Sequence, residues 1–75
     1  SSSHSTLLEL STRDRPGLLY QISSLLSEHR CNIEVAIIDT QGRRAIDVFY
    51  LTVDGNKLST EAQQAIQQAL LTSLS

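Results

Sequence analysis

The chain has 75 residues, 40% of them hydrophobic, and its six Lys and Arg against eight Asp and Glu leave a net charge of −2. A single domain of this size removes only roughly 60% of its unfolded surface from water, which leaves little interior for a buried catalytic constellation. With no basic cluster beyond Arg43-Arg44, nucleic-acid binding lacks its electrostatic footprint, and no apolar run approaches the roughly 20 residues of a membrane-spanning helix. The lone Cys31 has no partner for an internal disulfide, so a cytoplasmic setting is expected.

In chain order, Ser1 to Ser5 read as a disordered polar leader or expression scar, without the basic and apolar regions of a signal peptide, and residues 6–75 as one domain. Thr6 to Thr12 is predicted to be a strand with Leu8 and Leu10 on one face and Leu7 on the other. From Pro16 to about Arg30, the apolar residues Leu18, Leu19, Ile22, Leu25 and Leu26 fall at the spacing of one helical face. Asn32 to Thr40 is nearly continuous in apolar and β-branched residues, the pattern of a strand with one face in a core and much of the other covered. Gly42 turns the chain into a hairpin. Ala45 to Val53 follows, with Ala45, Asp47, Phe49, Leu51 and Val53 sharing one face. After Asp54-Gly55-Asn56, Ser59 or Thr60 caps a final helix with Ala62, Ile66, Ala69 and Leu70 as its stripe and glutamines 63, 64, 67 and 68 on its solvated side.

The order β-α-β-β-α makes the first helix a crossover and the central hairpin a forced pair. Pairing the first strand with the third gives an α+β, ferredoxin-like plan with antiparallel sheet order 2-3-1 and both helices on one face. The fourth strand of that plan is missing, since only Ser73, Leu74 and Ser75 follow the last helix. Strand one is then expected to present an open edge, poorly defended by Glu9 alone, and to pair with another copy or a neighbouring domain.

The chemistry centres on Asp14-Arg15-Pro16-Gly17-Leu18-Leu19, where a strand ends and a helix opens. A helix N-terminus with unpaired amides receives carboxylates and amides. Pro16 would set φ in the first turn, and Gly17 would let a ligand approach the main chain. A plain structural alternative is that Asp14 caps the helix and Gly17 permits packing.

Asp47, among apolar neighbours, either finds a hydrogen bond or partial exposure, or else contacts a ligand. His29 is expected to interact with its helix C-terminus, and Arg43 and Arg44 to form a solvated hairpin tip. Tyr20 fits either the loop or an interface. Neither histidine nor Cys31 has a second ligand at metal spacing, so no metal or other cofactor is expected. No nucleophile stands beside a base, so no catalytic residue is assigned. Phe49 and Tyr50 face opposite sides and cannot form an RNA-stacking platform.

The stretch "RDRPGLLYQISSLLSEHRCNIEVAIIDTQGRRAIDVFYLT" resembles an ACT domain from Leu7 to about Leu71. More narrowly, "DRPGLL", "NIEVAIIDT" and "AIDVFYLT" resemble the C-terminal ACT copies of bifunctional PII uridylyltransferase/uridylyl-removing enzymes. The terminal copy of those enzymes also ends with its helix. The resemblance implies a non-catalytic regulatory module that binds an amino-acid effector, glutamine in the narrower case, often at an interface between two ACT domains. It implies ligand-binding roles for Asp14, Pro16, Gly17 and Leu18 in the loop and for Asn32 and Ile33 on the second strand. Asn32 offers both a donor and an acceptor to an amino-acid head group. A nucleotidyltransferase would be the parent enzyme. The competing expectation is a dimerisation or domain-assembly module that binds no metabolite.

Overall fold

The computed structural model describes residues 4–75 and runs β1 (Thr6–Arg13), α1 (Leu18–Glu28), β2 (Asn32–Gln41), β3 (Arg44–Thr52) and α2 (Thr60–Leu74). The three strands form one antiparallel sheet in the order β1-β3-β2, the expected order read from the other edge. Residues 1–3 of the expected leader lie outside the described residues. Ser5 is buried, so the packed part of the chain starts one residue before β1.

The core forms between one sheet face and both helices. On β3, Ala45, Phe49 and Leu51 point inward, with Leu8 and Leu10 of β1 packed against the same cluster. Above them lie Leu18, Ile22, Leu25 and Leu26 of α1 and Ile66 and Leu70 of α2. The period of 2 on β1 and β3 and of 3.6 on the helices therefore converge on a single interior.

Two elements differ from their expected form. First, α1 begins at Leu18 and not at Pro16. Gly17 takes a left-handed conformation (φ 77°), and the Leu18 N–H donates to the Arg15 carbonyl at 3.2 Å, so Pro16 belongs to a turn ahead of the helix. At its other end Arg30 also takes a positive φ (62°), which lets the Cys31 N–H reach the Leu26 carbonyl at 3.0 Å. This 6→1 bond closes the helix as a glycine usually would.

Second, β2 was expected to be covered, yet every residue from Asn32 to Gln41 is exposed. As an edge strand, β2 has a neighbour on one side only, and the helices close over β3 and β1 in its place. Ile33 and Ile38 share the helix-side face with Leu51 and Asp47, while Val35 and Ile37 share the other face with Tyr50 and Val48. A register shift between Ile33 and Val35 bulges the strand at Glu34, whose carboxylate accepts from the buried Thr52 hydroxyl at 2.8 Å.

The C-terminal helix is capped as its sequence requires. The Ser59 hydroxyl accepts from the Ala62 N–H at 3.1 Å, and glutamines 63, 64, 67 and 68 are exposed. His29 places Nδ1 3.0 Å from the Leu25 carbonyl, which fixes the ring at the end of α1.

Candidate functional site

The turn between β1 and α1 hangs over the end of the sheet where the hairpin of β2 and β3 closes. The Asp14 N–H donates to the Arg43 carbonyl at 2.8 Å and ties the turn to that hairpin. Beneath it opens a hollow of about 220 Å³, bounded by Asp14, Arg15 and Gly17 of the turn, by the start of α1, and by Ile38, Thr40 and Asp47 of the sheet.

Asp14 does not cap α1. The N-cap is Gly17, with no side-chain cap bond, and no acidic residue occupies the first turn. The amides of Leu19 and Tyr20 have no helical carbonyl behind them, and Gln21 makes the first helical bond, to the Gly17 carbonyl at 2.9 Å. Leu18, however, has its N–H committed to Arg15, and its side chain is in the core. With the Leu18 N–H committed, the open helical amides at this terminus are those of Leu19 and Tyr20. Gly17 has nothing within 4 Å of the position a Cβ would take, so the main chain there is open.

The floor of the hollow carries Asp47. Its residue is 2% exposed, and Oδ1 has no hydrogen-bond partner. Burial pushes its carboxyl above the ordinary range; a hydrogen bond from the Asp39 backbone works against that rise, and the charges of Asp14 and Asp39 add to it. Arg15 also borders the hollow, but its guanidinium donates to Gln21 Oε1 at 2.8 Å. Gln21 in turn donates from Nε2 to the Ser73 carbonyl on α2 at 3.0 Å.

Of the residues singled out from the sequence, Asp14, Pro16, Gly17 and Leu18 cluster at this turn. Asn32 and Ile33 stand at the opposite end of β2, where Asn32 pairs with Thr52. At about 3.3 Å per residue, Asn32 is roughly 20 Å from Ile38 at the hollow. One chain does not bring the two groups together. Thr40 and Ile38 were missed, although the hairpin register carries the signal: a turn at Gly42 sets Thr40 opposite Ala45 and Ile38 opposite Asp47, on the face below the turn.

A second and larger hollow, of about 500 Å³, lies between the free edge of β1 and α2, lined by apolar residues that include Leu8, Leu10, Leu70, Leu71 and Leu74. It occupies the place beside β1 that a fourth strand would fill. Among the described residues, no three His, Cys, Asp or Glu side chains gather as metal ligands, and no helix is long and apolar enough to cross a membrane. Cys31 is buried, which pushes its thiol up and keeps it protonated.

Comparison with known proteins agrees with this architecture. The ACT domain family matches residues 6–70. A bifunctional uridylyltransferase/uridylyl-removing enzyme of Cupriavidus pinatubonensis is 46% identical over 70 residues, covering 91% of this chain and 8% of that protein. The enzyme of the same description from Caulobacter vibrioides is 40% identical over 75 residues, covering 97% of this chain and again 8% of the relative. The chain thus spans a small fraction of the length of these relatives. Among solved structures, a formyltetrahydrofolate deformylase from Burkholderia mallei superposes with a TM-score of 0.72 at 17% identity, over 92% of this chain and 24% of that one, a likeness of fold. With the family match spanning all five elements but the last helical turn, this chain belongs to the ACT domain family.

Proposed function

We propose that this chain is a regulatory domain that senses an amino acid, with glutamine as the first ligand to test, and that it serves a PII uridylyltransferase-like enzyme of nitrogen regulation in the cytoplasm. The nucleotidyltransferase chemistry belongs to other parts of such an enzyme, and these residues carry no catalytic role. The observation that supports the reading is the meeting of open amides at the start of α1 with a hollow sized for a small metabolite. A ligand carboxylate on Leu19 and Tyr20 would be favoured by both the unpaired N–H groups and the helix dipole. Similarity to uridylyltransferase/uridylyl-removing enzymes over nearly the whole chain supports the choice of parent.

Asn32 and Ile33 enter this reading through a second ACT copy. The edge of β2 is free, and antiparallel pairing with another β2 would carry the partner's Asn32 toward the Ile38 end, beside the hollow. Each contact contributes only about 1 kcal/mol, so enclosure by the second copy is what raises affinity. Calorimetric titration of the chain with glutamine and other amino acids tests this. Heat that is saturable with an amino acid, and reduced in Asn32→Ala without a change in assembly, is the expected result. A folded, self-associated protein giving no heat with any of them would remove the sensing role.

A second reading, assembly without a metabolite, is favoured by the apolar slot beside β1. An added strand there would satisfy the open edge and cover the exposed flank of α2. Solution mass separates the readings: substitution of Leu71 by Lys would abolish self-association under this one and leave ligand binding as the sole function under test in the other.

A further inference from the structure

The surroundings of Asp47 satisfy it only in part: the Asp39 backbone reaches its carboxyl, while Oδ1 has no partner. Its neighbours on the core face are apolar, Oδ1 is orphaned, and the one arginine at the hollow, Arg15, is turned away to Gln21. A buried carboxylate oxygen without a partner destabilises its own protein, so its presence on the floor of an open hollow calls for a visiting partner. That partner is a cation or a strong N–H donor, because Asp14, which borders the same space, is another carboxylate and the Arg15 guanidinium is committed to Gln21. The opposite wall of the hollow, the first turn of α1, offers only N–H donors and favours an anion. Positive and negative receptors thus stand across one small cavity.

We propose that Asp47 is the specificity-determining residue of this site: its carboxylate receives the ammonium of an α-amino acid whose own carboxylate rests on the free amides of Leu19 and Tyr20. This rests on the amino-acid-sensing reading above and sharpens it, since it places the ammonium receptor inside one chain on β3 and leaves Asn32 of a second copy to meet the rest of the ligand. Thr40, on the same face two residue pairs nearer the hairpin, is positioned to accept or donate a further bond. Molecules that carry a carboxylate but no ammonium would leave Asp47 Oδ1 unpaired and be rejected.

The test compares ligands on the unaltered chain and on Asp47→Asn. The chain is titrated calorimetrically with the proteinogenic amino acids, and then with the 2-hydroxy analogue of the tightest binder, in which a neutral group of similar size replaces the ammonium. The unaltered protein should bind the hydroxy analogue at least about tenfold more weakly than the amino acid. Asp47→Asn should lose about tenfold in affinity for the amino acid, narrow the gap between the two ligands, and melt at or above the temperature of the unaltered chain. A hydroxy analogue that binds as well as the amino acid overturns the proposal on the unaltered protein alone. Asp47→Asn that keeps full affinity, or that loses affinity while melting lower, overturns it as well, the latter by revealing a structural role. Absence of binding by any amino acid to the unaltered chain would instead defeat the sensing reading, and this inference with it.

Discussion

Asp47 costs stability where it stands. Leaving a buried acceptor unpaired is worth about 1–3 kcal/mol against folding, more when it is charged. Because its carboxyl is pushed above the ordinary carboxylate range in the folded chain, the fold holds that proton more tightly than the unfolded chain does. Its contribution is most favourable below the ordinary carboxylate value of about 4 and is lost as pH rises through the raised one. Asp47→Asn should therefore gain about 1 kcal/mol at neutral pH and show a smaller fall in melting temperature between acid and neutral solution, measured by thermal denaturation at several pH values. Gly17 presents the opposite case. Its surroundings would admit a methyl group, yet its φ of 77° disfavours any L side chain, so Gly17→Ala should cost about 1 kcal/mol in a urea titration. The glycine was conspicuous in the sequence, but its left-handed turn was not, and that turn is what spends the Leu18 amide and moves the open donors to Leu19 and Tyr20.

Among the elements, β3 and β2 are alike in sequence and unlike in environment. Phe49, at the centre of β3, is wholly buried, whereas Ile37 one strand away is 52% exposed. Phe49→Ala should remove about 3–5 kcal/mol, enough to unfold a domain of this size, while Ile37→Ala should cost well under 1 kcal/mol in the monomer, both read by denaturant melting. Sequence periodicity made the strands, both helices and the sheet order legible, because burial on β1, β3 and the helices is decided within the chain. For β2 it failed for a physical reason: a run of Ile33, Val35, Ala36, Ile37 and Ile38 records how apolar the final surroundings of a strand are, whether the covering atoms come from the same chain or not. The candidate site was half legible for a similar reason, since the turn motif announces itself while Ile38, Thr40 and Asp47 are joined to it only by register.

Taken whole, the molecule has two free edges, β1 and β2, and large apolar side chains exposed on both sides of its sheet. Edges of this kind recruit strands, so the chain should associate in solution: its melting temperature should rise with protein concentration, and sedimentation should show a mass above that of one 8.3 kDa chain at high concentration. A melting temperature independent of concentration, with a monomeric mass, would contradict that expectation. Under the proposed sensing role a bound ligand would have to act on the rest of the domain, and the bonds from Arg15 to Gln21 and from Gln21 to the Ser73 carbonyl lie in series between the turn and the last turn of α2. Both are solvent-exposed, and each contributes only about 1 kcal/mol. Such a linkage works as a fuse rather than a strut: a guest that draws Arg15 inward need break only one weak bond to unclamp the Gln21 side chain that reaches across to α2.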